Sequence, residues 1–320
     1  MFVIIGSTTA DLLVMSEQAF DQSGADGFRG NNLVFTERPL TILLGGNGGN
    51  SAYVLAGLGA PTALCSAVGQ DPLGDLLVSW LETRQVNLAG LTRSPDYATS
   101  SSTILMADAA HQRVFHHLGA TQAVCPENIP GFLLTQAEIL LISSFPILTG
   151  MRSGGGYAAV LSAAHQAGVL TAVDLGPAIG QPVTMAELGP LLPHLDYLMA
   201  NVHELAVLTG GEDWEQAGDQ LLAAGAARLV IKRGRDGASG RGPNLRVDVP
   251  GFAVKAHISV GAGDSFNVGF LYGLQQGWPL AQALRFGNAV AALVVSGERG
   301  VLSAPARAEV DQFLADHPYH

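Results

Sequence analysis

From about residue 45 onward, short apolar runs alternate with longer segments of helical period, and this alternation restricts the fold more than any other feature of the chain. The runs "TALCSAV" (62–68), "EILLIS" (138–143), "VLTAVD" (169–174), "YLMA" (197–200) and "RLVIK" (228–232) read as buried strands. Between them, residues 50–58, 73–84, 153–167, 203–209 and 214–224 read as helices. That rhythm predicts an α/β fold with a doubly wound, mostly parallel sheet, whose site lies at the carboxyl ends of its strands. After Gly263 the chain reads as helical to its end, in blocks at 263–276, 279–296 and 305–316.

Two segments interrupt the rhythm. Residues 12–44 are polar, Gly-rich and irregular, and residues 99–118 read as a hairpin with its turn near Asp108-Ala109-Ala110-His111. Neither has a companion helix. Together they predict a small β-sheet lid of 12–44 and 99–118 on a main domain of 1–11, 45–98 and 119–320.

The charge balance narrows the function. A net charge of −11 argues against a nucleic-acid or anionic-membrane binder, because both require a positive field. Lys232 and Lys255 are the only lysines, so a phosphate clamp must lean on backbone amides and a few arginines. Cys65 and Cys125 lack Cys-x-x-Cys spacing and read as two buried reduced thiols, with a disulfide as the open alternative. "MFVIIGSTTAD" has no basic leader and reads as a first strand, and no window approaches a membrane span. A cytoplasmic location is expected.

Two glycine-rich stretches point to chemistry. In "VGAGDSF" (260–266) a small-sided loop runs straight into a good helix, and such a loop exposes backbone N–H groups beside the positive end of the helix dipole. That is an anion site, yet an acid, Asp264, stands in it. Charge repulsion makes an acid a poor choice for simple anion binding, which suggests a catalytic role; dipole complementation at a helix entry is the bland alternative. Far upstream, "LGGNGGNSAYVLAGLGA" (44–60) places glycines at 45, 46, 48 and 49. A helix capped by Asn50 and ended by Gly59 explains those two residues, but not four glycines in five positions.

The two stretches, in this order and about two hundred residues apart, resemble the two signatures of the ribokinase-like (PfkB) carbohydrate kinases. "GSTTAD", "ANVHELAVLTG" and "GNAVAALVVSGERG" extend the resemblance over nearly the whole chain. It implies phosphoryl transfer from ATP with Mg²⁺ to a hydroxyl of a small sugar, and a homodimer formed through the lid. Asp264 matches the catalytic base, and Gly261, Ala262 and Gly263 match the anion hole. Asp11, at the end of the first strand, with Gly46 and Asn50, matches the groups that hold the sugar. Asn201 and Glu204 match an Asn-x-x-Glu beside the phosphates and the Mg²⁺, which Glu204 meets through water. Gly234, Gly237 and Asn288 match positions bordering the nucleotide.

Physical chemistry supports these roles. A positioned carboxylate that takes the hydroxyl proton contributes about 10²–10⁴-fold, and amides with Mg²⁺ stabilise charge on the transferring group. Asn201-x-x-Glu204 also has the shape of a helix capping box. The chain departs from the family pattern at three places. Ile258-Ser259-Val260 stands where Asp-Thr-x is common, which makes a K⁺ site doubtful. Lys232-Arg233-Gly234 replaces Thr-Leu-Gly and brings Lys232 toward phosphate. Ser144-Phe145 stands where ribokinases carry a sugar-contacting Glu, which puts ribose specificity in doubt.

Competing readings are weaker. Gly154-x-Gly156-x-x-Ala159 with Asp174 has dinucleotide-binding spacing, but "FPILTGMRS" intervenes between the strand and the first Gly. His203-Glu204 lacks the second His of a zinc motif, and His116-His117 lacks further ligands. A nucleoside acceptor is an open alternative, with Phe28, Phe35, Phe115 and His116 as stacking candidates. A non-catalytic regulator that keeps the fold is less consistent with an intact Asp264 loop.

Overall fold

The computed structural model describes residues 1–15, 36, 38–106, 112–176 and 180–318. In chain order the strands are β1 (Phe2–Ile5), β2 (Thr9–Met15), β3 (Thr41–Gly45), β4 (Thr62–Gly69), β5 (Asn87–Ser94), β6 (Ser100–Met106) and β7 (Gln112–His117). They continue as β8 (Ile139–Ile142), β9 (Leu170–Asp174), β10 (Tyr197–Asn201), β11 (Leu229–Lys232), β12 (Ala238–Gly242) and β13 (Leu245–Val249).

Nine of them form one sheet in the order β13-β12-β11-β10-β9-β8-β1-β4-β5. The pairs from β11 to β5 are all parallel, and only β12 and β13 run antiparallel at one edge. Strands such as "FVII" and "ILLI" are buried along their whole length, as a parallel sheet covered on both faces requires. One apolar cluster, with Leu64, Phe270 and Phe286, lies on one face. A second, with Leu140, Leu161 and Ile231, lies on the other. The chain steps outward in opposite directions from β1 and β8, so the topological switch point lies where those neighbouring strands end.

The helices follow their local signals. Asp71 caps Pro72–Thr83 by accepting from Gly74 N at 2.9 Å, with Pro72 at the first helical position. Gly210, left-handed, ends Val202–Thr209. Beyond Gly261 come Ala262–Gln275, Leu280–Ser296 and Arg307–Asp316, with a short 3-10 turn at Gly300–Ser303.

The second sheet has four strands in the order β3-β2-β6-β7. β2 pairs antiparallel with β3 and parallel with β6, and β6 pairs antiparallel with β7. Its inner face carries Leu13, Leu43, Ile104 and Met106, which pack against Ile258 of the main domain. Asp11 lies in β2 of this sheet and not at the end of the first strand, which closes at Ile5. The expected hairpin turn at 108–111 lies outside the described residues.

Candidate active site

The helix Ala262–Gln275 starts directly after Gly261, which is left-handed at φ 81°. A Cβ at Gly261 would stand 2.5 Å from Val301 Cγ1, so both conformation and space demand glycine. This loop puts Asp264 in the first helical turn, at the sheet's carboxyl edge and only 5% exposed. The Ala262 N–H closes a turn onto the Ser259 carbonyl at 3.2 Å.

The upstream glycine stretch delivers two amides to that carboxylate. Asn47 Nδ2 donates to Asp264 Oδ1 and Asn50 Nδ2 donates to Asp264 Oδ2, each at 2.8 Å. Asn50 is therefore not a helix cap: the helix runs Asn47–Gly57 after Gly46, and Asn50 sits inside its first turns. Burial pushes the Asp264 carboxyl up to about 6, against the opposing help of the Asn50 amide. Asp174 adds to the rise, while Asn47 and Lys232 oppose it. At pH 7 Asp264 is an ionised but basic carboxylate, which is what a general base requires.

On the other side stands a buried charge cluster. Lys232, at the end of β11, reaches past β10 to pair with Asp174, at the end of β9, at 2.6 Å. Burial alone would lower the Lys232 ammonium, but Asp174 and Glu204 more than offset it and hold its pKa up. Lys232 Nζ lies 3.6 Å from where a Gly263 Cβ would be, so this ammonium faces the start of the helix Ala262–Gln275. Asn201 and Glu204 form a complete capping box: Glu204 N donates to Asn201 Oδ1 at 2.8 Å, and Asn201 N to Glu204 Oε2 at 2.7 Å. Burial raises the Glu204 carboxyl to about 7; Lys232 opposes this and Asp174 adds to it.

A cleft of about 290 Å³ opens beside the loop, lined by Lys232, Gly234, Gly237, Ala262, Gly263 and Asn288 among others. Phe252, Phe266 and Val295 give it apolar walls. Asn288 Nδ2 donates to the Pro250 carbonyl at 3.1 Å and so holds the loop that forms one rim.

Asp11 faces the site from the small sheet. A Cβ on Gly45 would run into the Asp11 carboxyl, so glycine there is what admits the acid. Burial raises Asp11 to about 6; Ser102 lowers it and the charge of Asp264 adds to the rise. Asp11, Ser102 and His116 form one cross-strand row, with His116 Nδ1 3.1 Å from Ser102 Oγ. Beyond this row a cleft of about 750 Å³ is lined by His116, Leu118, Pro146, Ile147 and Arg152. Phe28 and Phe35 lie outside the described residues, and Phe115 is exposed.

Gly46, Asn50, Asp264, Lys232, Glu204 and Asp11 thus converge on one edge of the sheet. Sequence reasoning missed the partner role of Asp174, which it met only as the acid of a dinucleotide fingerprint. An acid at the carboxyl end of a central parallel strand was the available signal. The fingerprint itself does not form, because a kinked 3-10 turn at Ser153–Gly155 separates β8 from the helix Gly156–Gln166. Cys65 is buried with its thiol pushed up to about 12 by desolvation, and Cys125 is only half-buried, contrary to expectation; both are free.

Comparison with known proteins agrees with this geometry. The family model described as pfkB family carbohydrate kinase matches residues 1–307, and the chain belongs to that family. An ATP-dependent ribose-1-phosphate kinase of Halopiger xanaduensis is 32% identical over 276 residues, covering 85% of this chain and 86% of the relative. The ribokinase of Thermotoga maritima superposes with a TM-score of 0.80 at 25% identity, over 98% of this chain and 99% of that one. An Arabidopsis thaliana ribokinase complexed with ribose and ATP gives a TM-score of 0.82 at 23% identity, over 98% of this chain and 97% of that one. The protein is a carbohydrate kinase, a phosphotransferase that acts on an alcohol group.

Proposed function

We propose that the γ-phosphoryl group of ATP passes to a hydroxyl of a small, uncharged sugar or sugar derivative, with Asp264 as the general base. The observation that carries this reading is the environment of Asp264: buried, fixed by two amides, and raised to about 6, so that it is ionised at neutral pH yet able to take a proton. Asp11, Gly46 and Asn50 hold the acceptor. Gly261, Ala262 and Gly263 shape the anion hole; with the Ala262 N–H engaged by Ser259, the Gly263 amide and Lys232 meet the transferring phosphate. Gly234, Gly237 and Asn288 border the adenine side of the 290 Å³ cleft.

The residues fit Mg²⁺ held largely by phosphates and water. Asp174 and Glu204 give the pocket more negative charge than Lys232 cancels, and among the described residues no cluster of three or more His, Cys, Asp or Glu forms a protein cage. When bound, Mg²⁺ neutralises charge on the phosphates, with Glu204 behind its water shell. An uncharged acceptor is favoured because Arg152, the Lys or Arg that lines the acceptor-side cleft among the described residues, is engaged by Glu187 and by the carbonyls of Pro146, Gln181 and Pro182. A nucleoside is the second reading, supported by the 750 Å³ of space beside His116 and Ile147. ATP consumption measured over pentoses, hexoses, keto-deoxy sugar acids, nucleosides and ribose 1-phosphate distinguishes these acceptors. No turnover with any uncharged compound would sink the proposal.

We place the dimer contact at β7, the outer strand of the lid. Its outer edge, unpaired among the described residues, carries the exposed Val114 and Phe115, and strand edges of that kind seek a partner. Light scattering should show a dimer for the parent and a monomer for Phe115→Asp; a monomeric parent removes the claim. No helix among the described residues is long and apolar enough to cross a membrane. The cytoplasm is the compartment this reading assigns.

A further inference from the structure

Ser144 follows β8 at the topological switch point, and its backbone is left-handed at φ 62°, a conformation that non-glycine residues adopt at a cost. The site is over-determined. Tyr157 OH donates to the Phe145 carbonyl at 2.7 Å, and the Phe145 and Tyr157 rings stack at 3.9 Å. What the strained turn delivers is a fully buried hydroxyl. Ser144 Oγ donates to Asn47 Oδ1 at 2.9 Å, and it accepts from Ser7 Oγ at 2.8 Å and Ser7 N at 3.3 Å. Because Asn47 Oδ1 is thus occupied, its Nδ2 must point the other way, onto Asp264 Oδ1.

We infer that Ser144 is a positioning residue of the transfer reaction: it fixes the amide of Asn47 so that a donor, never an acceptor, faces the Asp264 carboxylate. The inference rests on the assignment of Asp264 as base. An amide is nearly symmetric in shape, and only its hydrogen-bond partners decide which end faces which group. Without the Ser144 hydroxyl, Asn47 can turn its Oδ1 toward Asp264. Two acceptors would then face each other, and Asp264 would lose the donor that favours its charged form. Ser7 closes the chain at the end of β1, so the relay spans from two central strands to the base. The other charged groups facing Asp264 are Asp11 from β2, Asp174 from β9, Lys232 from β11 and Glu204 from the helix Val202–Thr209. None of them takes part in the relay.

The test uses Ser144→Gly, which suits the left-handed backbone and deletes the hydroxymethyl side chain, in the full-length kinase. It should lower kcat about tenfold through lost orientation and move the acid limb of the kcat profile upward by about half a pH unit. KM for ATP should change less than about twofold, since no nucleotide contact is touched. In an Asn47→Ala background the same substitution should have no further effect on kcat, because the relay is already cut. Ser144→Cys, of similar volume and with a weak donor, should fall between parent and Gly, and serves if Ser144→Gly does not fold. An unmoved acid limb with only a lowered Tm, or full additivity with Asn47→Ala, overturns the relay. If Asp264 is not the base, the parent shows no acid limb that Asp264→Asn removes, and that failure is separately visible.

Discussion

The two flanks of Asp264 are built on opposite principles. On one side Asn47 and Asn50, both neutral, hold the two carboxylate oxygens at 2.8 Å. On the other, Lys232, Asp174 and Glu204 place full charges in a buried setting, joined by a 2.6 Å ion pair. Neutral amides fix geometry and do not titrate near pH 7, so the Asp264 carboxyl keeps its orientation as its charge changes. The charged flank is unbalanced: two carboxylates face one ammonium, and buried charge without full compensation is costly. Glu204, raised to about 7, eases that imbalance by taking a proton near neutrality. The amide side thus fixes the orientation of Asp264, and the ionic side sets the charge around it.

The largest effect should come where the flanks meet. Asp264→Asn should lower kcat by about 10²–10⁴-fold, while ATP still binds by calorimetry. A kcat within about tenfold of the parent would show that neither flank serves a base.

On the ionic side, Lys232→Met should lower kcat/KM for ATP about 10²-fold, as the loss of one electrostatic stabiliser does. It also leaves Asp174 buried without its partner, so the protein should lose about 3–5 kcal/mol. Adding Asp174→Asn should recover much of the Tm but none of the activity. If Lys232→Met retains its kcat/KM within about threefold, the pair is a structural bridge and the division of labour fails.

Glu204→Gln is milder, since Gln can keep the cap through its carbonyl. The Mg²⁺ concentration for half-maximal rate should rise about tenfold if Glu204 acts behind the metal's water. The folded-state pKa of Glu204 lies above its unfolded value, so its titration contributes stability at low pH that is lost as pH rises through about 7. The Gln variant should therefore gain Tm relative to the parent at pH 8 but not at pH 5. A lower Tm with an unchanged Mg²⁺ titration would leave Glu204 as a cap alone.

How much of this was legible in the sequence depends on whether a feature is local. The strands from "TALCSAV" to "RLVIK" and the three late helices carry their own periodicity, and each appears within a residue or two of expectation. β12 did not announce itself, because "ASGRG" has no apolar alternation and gains its strand from pairing with β11; β13, "LRVDV", alternates but is short and mostly exposed. The residues around Asp264 were visible through two glycine stretches, but their pairing was not. That Asn50 would donate to an acid 214 residues away, and not cap its own helix, follows only from the packing of two helices. Ser144 was noticed as a departure, yet its role needed the left-handed turn that aims it at Asn47. Long-range pairing of small polar groups leaves almost no sequence period to read.

The smallest effect should be that of K⁺. A monovalent cation beside the anion loop needs several oxygen ligands, preferably a charged one, to offset dehydration of the ion. Ile258 offers hydrocarbon: it is 4% exposed and packs with Leu13, Leu43, Ile104 and Met106 of the small sheet. Ile258 instead fastens the small sheet to the main domain. Ser259 is exposed and offers one neutral hydroxyl. Replacing K⁺ by a bulky organic cation at constant ionic strength should therefore change kcat by less than about twofold, a difference near the reach of ordinary salt effects. A saturable, several-fold activation by K⁺ over that control would mean that carbonyls alone build the site. Counter-charge would then reach the anion loop from the lid side as well, and the contrast between a neutral and an ionic flank would have to be redrawn.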